Sequence, residues 1–100
     1  MASIGLPGFI VHPGEILVEE FMKPLRITQK ALAARLGISF RRVNEICRGR
    51  RSVTAETALL LSKAFGTTAQ LWMNLQTTHD LVLAKKATSL KHVRPFKKSA

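Results

Sequence analysis

The sequence is poor in several residue types: one cysteine, no tyrosine, and six acidic side chains against sixteen lysines and arginines in 100 residues. A single cysteine cannot form an internal disulfide, which favours a reducing compartment. Charged residues interrupt every apolar run well short of the roughly 20 residues that a membrane-spanning helix needs. Residues 1–9 lack the basic start and the apolar stretch of a signal peptide. These absences predict a cytoplasmic protein.

Residues that could support catalysis or metal binding are also scarce. His12, His79 and His92 are far apart in the sequence, and none has a cysteine at metal-ligand spacing. Cys47 lies on the apolar side of a predicted helix and is expected in the core. The glycines occur singly, so the sequence contains no phosphate-cradling glycine loop. We therefore predict no enzyme, no metal and no cofactor.

The net charge of +10 is concentrated in two segments. Residues 26–51 contain eight basic side chains against one acid, Glu45, and residues 85–100 contain six basic side chains and no acid. A generic solvated surface would scatter the charge along the chain. Its concentration favours a nucleic-acid partner.

Apolar residues recur at helical spacing throughout, with no alternating pattern typical of strands. The pattern predicts an all-α fold, a compact bundle of about five helices, with Pro24 ending the first of them. Helix-capping residues and glycines mark the remaining helix boundaries. We expect an irregular lead-in over residues 1–11, one domain over residues 12–84, and a mobile basic tail over residues 85–100.

The segment from Thr28 to Ile46 has the pattern of a helix-turn-helix. Gly37 can adopt the left-handed conformation that ends a helix, Ile38 fills the turn, and Ser39 can cap the helix that follows. A second helix held in this way is the element that enters the DNA major groove in this class of domain. The segment predicts a sequence-specific DNA-binding domain.

Side chains at the start of this second helix are candidates for reading bases. Phe40 could contact a thymine methyl group, Arg41 a guanine edge and Asn44 an adenine. Glu45 could accept from a cytosine amino group or simply orient an arginine, and Gln29 could contact a phosphate and brace the second helix. The remaining predicted DNA contacts, mainly to phosphates, are Ser39, Arg42, Arg48, Arg50 and Arg51.

Two of these features have a plausible structural alternative. Phe40 could instead complete the core or a dimer contact. The arginines could form an exposed salt-bridged face, although one acid among eight bases disfavours that alternative. The basic tail could follow DNA phosphates, bind a protein or RNA, or simply keep the protein soluble.

Because one helix-turn-helix reads few base pairs, a homodimer on palindromic half-sites is the usual arrangement. From the start of the fifth helix onward, the chain has more apolar residues than a small core needs. We predict a dimer surface at Leu81, Val82 and Leu83, and we favour a core position for Trp72.

In chain order, the sequence contains the segments HPGEIL at 12–17, EEF at 19–21, TQ at 28–29, LA at 32–33, LGIS at 36–39, RRVNEI at 41–46, GRR at 49–51, VTA at 53–55, TAL at 57–59, FGT at 65–67 and WMNLQ at 72–76. Taken together, these segments resemble the HigA family of antitoxins, within the wider Xre/lambda-repressor-like class of helix-turn-helix proteins. Arg26 stands where a glycine is usual in that family, Phe40 where a polar or arginine side chain is common, and Val82 where a tryptophan often follows.

The resemblance implies an antitoxin that binds double-stranded operator DNA, represses its own operon, and pairs with a HigB-like toxin that cleaves messenger RNA. The acidic side chains Glu15, Glu19 and Glu20 could then be a docking face for a basic toxin, although stabilisation of the helix start explains them equally well. The alternative is a stand-alone Xre-type regulator with no toxin partner. An RNA-binding protein is disfavoured, because single-strand modules depend on stacking aromatics and this chain has six, mostly at core spacing.

Overall fold

The computed structural model describes residues 11–97, and over that stretch the chain forms five helices and no strand. The predicted all-α bundle is confirmed. None of the helices in this part of the chain is both long and apolar enough to cross a membrane. The helices are α1 at residues 13–25, α2 at Gln29–Leu36, α3 at Phe40–Cys47, α4 at Ala55–Phe65 and α5 at Ala69–Ala87.

Helix α1 changes its winding along its length. It begins as an α-helix at Pro13–Ile16, widens into a π-helix over Leu17–Met22, and returns to α over Lys23–Leu25. The prediction that Pro24 ends this helix is wrong by one residue, because the wider turn before Pro24 accommodates a residue without an N–H group. The chain leaves the helix at Arg26, which has the left-handed dihedral angles φ 56° and ψ 42°. The glycine usual at this position would adopt them without strain.

Helices α2 and α3 are joined by the tight turn that the sequence predicts. Gly37 is left-handed with φ 72°, and the Ile38 N–H donates to the Ala33 carbonyl oxygen at 3.1 Å. Thr28 and Ser39 cap the two helices, accepting hydrogen bonds from Ala31 and Arg42 N–H groups. Each local signal acts within a few residues, so the turn depends little on the rest of the chain.

The core lies where all five helices meet, with α2 contributing Leu32, Ala33 and Leu36. Trp72 of α5 is fully buried, donates its indole N–H to Thr67 at 2.8 Å, and lies 5.3 Å from the Phe21 ring of α1. The favoured core position for Trp72 is therefore correct. Other side chains completing this core include Leu17, Val43, Ile46, Ala58 and Leu61.

The last helix extends beyond the predicted domain end at residue 84. It continues to Ala87, after which residues 88–97 follow without regular helix or strand. Residues 1–10 of the predicted lead-in and residues 98–100 of the predicted tail lie outside the described residues. Side chains near this end are exposed, among them Leu81, Leu83, Leu90, Val93 and Phe96.

Candidate nucleic-acid interface

Helix α3 has one buried and one exposed side. Val43 and Ile46 are almost fully buried, whereas the Phe40 side chain stands at the start of the helix and is 54% exposed. Arg41 is more exposed still, with 85% of its side chain accessible. Phe40 therefore does not complete the core, and both side chains at the free end of α3 are accessible to a ligand.

A hydrogen bond between amides fixes α3 against α2. The Asn44 side-chain amide donates to the side-chain oxygen Oε1 of Gln29 at 3.0 Å across the turn. Gln29 thus braces α3 as predicted. Its own amide N–H groups remain available as donors, since the bond to Asn44 uses only the oxygen.

Glu45 is shared between two arginines. It accepts from Arg41 Nε at 3.2 Å and from Arg51 Nε at 2.8 Å. Hydrogen bonds from Arg51 and then Arg41 lower the pKa of the Glu45 carboxyl below its ordinary value, so the carboxylate stays charged at neutral pH. Of the two predicted roles, orienting arginines is the one this geometry supports.

Arg42 joins α3 to α4. Its Nη2 donates to Glu56 Oε1 at 2.8 Å and to Thr57 Oγ1 at 2.7 Å, and only 23% of its side chain is exposed. Sequence reasoning placed Arg42 among the phosphate contacts. In this geometry its guanidinium holds the first turn of α4 beside α3, and any phosphate would have to share it.

The loop after α3 presents further positive charge. Gly49 is left-handed with φ 72°, and its N–H and that of Arg50 donate to the Ile46 and Glu45 carbonyls, which closes α3 with a Schellman turn. Arg48 and Arg50 are exposed, and neither forms an ion pair within residues 11–97. They are cations without an ion-pair partner among these residues, and they lie in the loop that follows the C-terminal end of α3.

Three further residues around this loop were missed by sequence reasoning. The rings of His12 and His79, which the sequence separates widely, lie 4.9 Å apart in an edge-to-face contact. Gln76 is buried, and its side-chain oxygen Oε1 accepts from the Val53 N–H at 2.7 Å. No local pattern predicts these contacts, because each joins residues that are far apart in the chain. Across the part of the chain that is described, no three metal-ligating side chains come together.

The predicted dimer residues lie at the far end of α5. Leu81 is 64% exposed and Leu83 45% exposed, and Val82 is half-buried. Leucines left so exposed at one end of a helix are typical of an interaction surface.

Comparison with known proteins agrees with this geometry. The profile of the family described as "Helix-turn-helix" matches residues 18–72. Virulence-associated protein I of Dichelobacter nodosus is 50% identical over 76% of this chain and 70% of its own length. Antitoxin HigA-1 of Vibrio cholerae is 39% identical over 71% of this chain and 67% of its own length.

A solved structure described as Pseudomonas aeruginosa antitoxin HigA with the higBA promoter superposes with a TM-score of 0.83. It is 39% identical in sequence, and the match covers 87% of this chain and 97% of that one. Together, these matches define a helix-turn-helix domain of the Xre type. The chain belongs to the HigA family of antitoxins.

Proposed function

We propose that this antitoxin binds operator DNA upstream of its own gene as a homodimer, represses its operon, and neutralises a HigB-like toxin that cleaves messenger RNA. The observation that carries the DNA-binding part is the exposed, capped start of α3 together with the basic loop that follows this helix, since Arg41 of the helix and Arg51 of the loop both pair with Glu45. The HigA structure with promoter DNA supports it by likeness.

In this proposal the exposed end of α3 reads bases. Phe40 and Arg41 are accessible at its first turn, where side chains of a recognition helix reach base edges. Asn44 is restrained by Gln29, so it contributes to base reading only if it exchanges or shares that hydrogen bond. Glu45 orients Arg41 and Arg51 towards the DNA.

The loop and the helix starts hold the phosphate backbone. Arg48, Arg50 and Arg51 supply the charge, and the helix start at Ser39 adds backbone N–H groups with a favourable dipole. Phosphate contacts position the domain without discriminating sequences, so these residues set affinity more than specificity.

A fluorescence titration tests this division, using DNA from upstream of the gene and scrambled DNA of the same length. Arg41→Ala should lose about 1–3 kcal/mol of preference for the upstream DNA. Arg50→Ala should weaken binding to both DNAs and reduce the slope of log affinity against log salt concentration by about 0.9. The control is Lys63→Ala, which removes an exposed charge of α4 outside the predicted contact set.

Equal binding of wild type to the two DNAs would overturn sequence-specific repression. A loss of preference in Lys63→Ala as large as that in Arg41→Ala would overturn the assignment of α3 as the reading helix.

Dimerisation is proposed at the exposed end of α5. Leu81→Glu with Leu83→Glu should yield monomers in sedimentation and weaken binding to a two-half-site operator far more than binding to a single half-site. Leu59→Glu is the matched control, because Leu59 is equally exposed on α4. If the double variant remains a dimer and Leu59→Glu becomes a monomer, the dimer interface lies around Leu59 on α4 and not at the end of α5.

Toxin neutralisation is proposed through the acidic side of α1. Glu15 and Glu20 are exposed, whereas Glu19 pairs with Lys23 at 2.7 Å. The test is co-purification with any short basic protein encoded beside the gene, together with protection of messenger RNA from cleavage. Glu15→Gln with Glu20→Gln should weaken both readouts, unlike Thr77→Lys with Thr78→Lys, which raises the net charge equally on α5.

If wild type neither binds nor neutralises such a neighbour, the chain is a stand-alone regulator and the toxin proposal fails. Binding and protection that persist in the glutamine variants would keep the toxin but move its contact away from α1.

A further inference from the structure

The 49–53 loop, which carries Arg50 and Arg51, is held in place by Gln76 of α5 and by His12, the residue before α1. Neither of them is among the proposed DNA contacts. The far end of the loop is fixed by Gln76, whose side-chain oxygen accepts from Val53 N–H at 2.7 Å and whose amide donates to Asp80 at 2.9 Å. Both polar groups of this buried side chain are therefore satisfied, and Gln76 orients Asp80 as well as the loop.

The near end of the loop is covered by His12. A Cβ placed on Gly49 would lie 3.6 Å from the His12 ring, so the ring lies over the glycine at ordinary van der Waals distance. The ring also packs edge-to-face against the His79 ring of α5, with the two ring centroids 4.9 Å apart.

The His12 nitrogen that faces α1 must be unprotonated. His12 Nδ1 accepts from the Gly14 N–H at 2.9 Å and caps the start of α1. The cap therefore requires the neutral tautomer that carries its proton on Nε2, and the ring held by this cap is the one that covers Gly49. A second proton would turn the cap acceptor into a donor pointing at another donor.

We propose that His12 and Gln76 are positioning residues for DNA binding, holding the 49–53 loop against α1 and α5, and that protonation of His12 releases this loop. The inference rests on the proposed DNA binding, with Arg50 and Arg51 as phosphate contacts. It adds a pH dependence that neither the helix-turn-helix nor its exposed arginines would produce.

The charges around His12 agree with a neutral ring. Burial, and then the neighbouring His79, lower the pKa of His12, while the Arg51 backbone and Asp80 act in the opposite direction. A histidine whose pKa is lowered by folding contributes stability above its ordinary value near 6.5, and that contribution is lost as the pH falls towards the folded-state value. Acidification should therefore act on the cap and the loop together.

A nuclear magnetic resonance titration of the full chain tests the network without DNA. The backbone amide signals of Gly14, Gly49 and Arg51 should shift with the same midpoint as the His12 ring. In His12→Asn, where asparagine keeps a cap acceptor but does not titrate, these shifts should vanish. If Gly14 follows His12 while Gly49 and Arg51 do not, His12 is only a helix cap and the proposal is overturned.

Operator affinity tests the consequence. Added positive charge would by itself strengthen DNA binding on acidification, so a weakening is diagnostic. Wild type should lose about fivefold in affinity between about pH 7.5 and about pH 5, the size expected when one cap hydrogen bond is coupled to binding. His12→Asn should lack this loss, and His92→Asn, which changes an exposed tail histidine, should retain it.

The outcomes separate the two proposals. A wild type that fails to prefer operator DNA at pH 7.5 overturns the proposed function, while the amide titration still tests the network. A preference that is present but has the same pH dependence in wild type and His12→Asn overturns the network alone.

Discussion

The two ends of α3 differ in how firmly they are held. At the start of the helix, Phe40 and Arg41 project from a turn fixed by short-range signals. At its end, the backbone of Ile46 lies against Gly14 of α1, and the loop beyond is fixed by residues from α1 and α5. The difference fits the proposed function. Side chains at the free start of α3 determine which bases are preferred, while the anchored loop after α3 keeps the proposed phosphate contacts in place.

The anchored end should be the more costly to disturb. A Cβ on Gly14 would collide with the Ile46 carbonyl oxygen, so Gly14→Ala must separate α1 from α3 and should reduce the free energy of unfolding by about 3 kcal/mol. Gly37→Ala is the matched control: it has open space but a φ of 72°, and should cost about 1 kcal/mol through strain. Denaturant unfolding measures both, and equal losses would contradict close packing at Gly14.

Gln76 offers a second test of the anchored end. Gln76→Leu leaves the buried Val53 N–H without an acceptor, which should cost about 2 kcal/mol. Gln70→Leu breaks a hydrogen bond of similar length to Asn74 on the exposed face of the same helix, and should change stability by less than about 0.5 kcal/mol. Thermal unfolding distinguishes the two variants. An unchanged unfolding temperature in Gln76→Leu would mean that contacts other than the Gln76–Val53 hydrogen bond hold the loop.

The free end should show the opposite pattern. Phe40→Ala should change the free energy of unfolding by less than about 0.5 kcal/mol, because the side chain is mostly exposed. It should nevertheless alter which operator bases are preferred, as measured by binding to single-base operator variants. A large loss of stability would show that Phe40 packs inside the fold, and the comparison between the two ends would fail.

The smallest expected effect lies away from both ends of α3. Arg26 is the one non-glycine residue with positive φ among those described, and Arg26→Gly should remove its strain and gain about 0.5 kcal/mol after the entropy of glycine is subtracted. Arg26→Ala removes the same charge and keeps the strain. A comparable gain in both variants would assign the effect to charge instead of conformation.

Sequence reasoning was most successful where one residue acts on its immediate neighbours. Ser39 and Gly37 have the capping conformations expected of them, because a cap needs only a side-chain oxygen or a permissive φ within one turn. The end of α1 was misplaced because the π-helical segment before Pro24 has no comparably local signal. The last helix continues past the predicted domain boundary at residue 84, since Lys85 and Lys86 suit the end of a helix as well as a basic tail.

The site was predictable in composition but not in its connections. The basic character of the loop is visible in the sequence, whereas the attachment of Arg42 to Glu56 and Thr57 is not. The same holds for Glu45, whose two arginine partners decide between the roles that the sequence left open. Side-chain partners depend on where whole helices lie, and an exposed arginine and a tethered one look identical in a sequence.

The sequence by itself determined the helices, the tight turn and the exposed start of α3, because those follow from periodicity and from contacts within a few residues. Only the tertiary structure decided that His12, His79 and Gln76 would meet behind the 49–53 loop. Their contacts join residues as many as 67 positions apart, and they form only once α1 and α5 pack on the same side of α3. Long-range contacts of this kind are set by the packing of the core and leave no periodic trace in the chain.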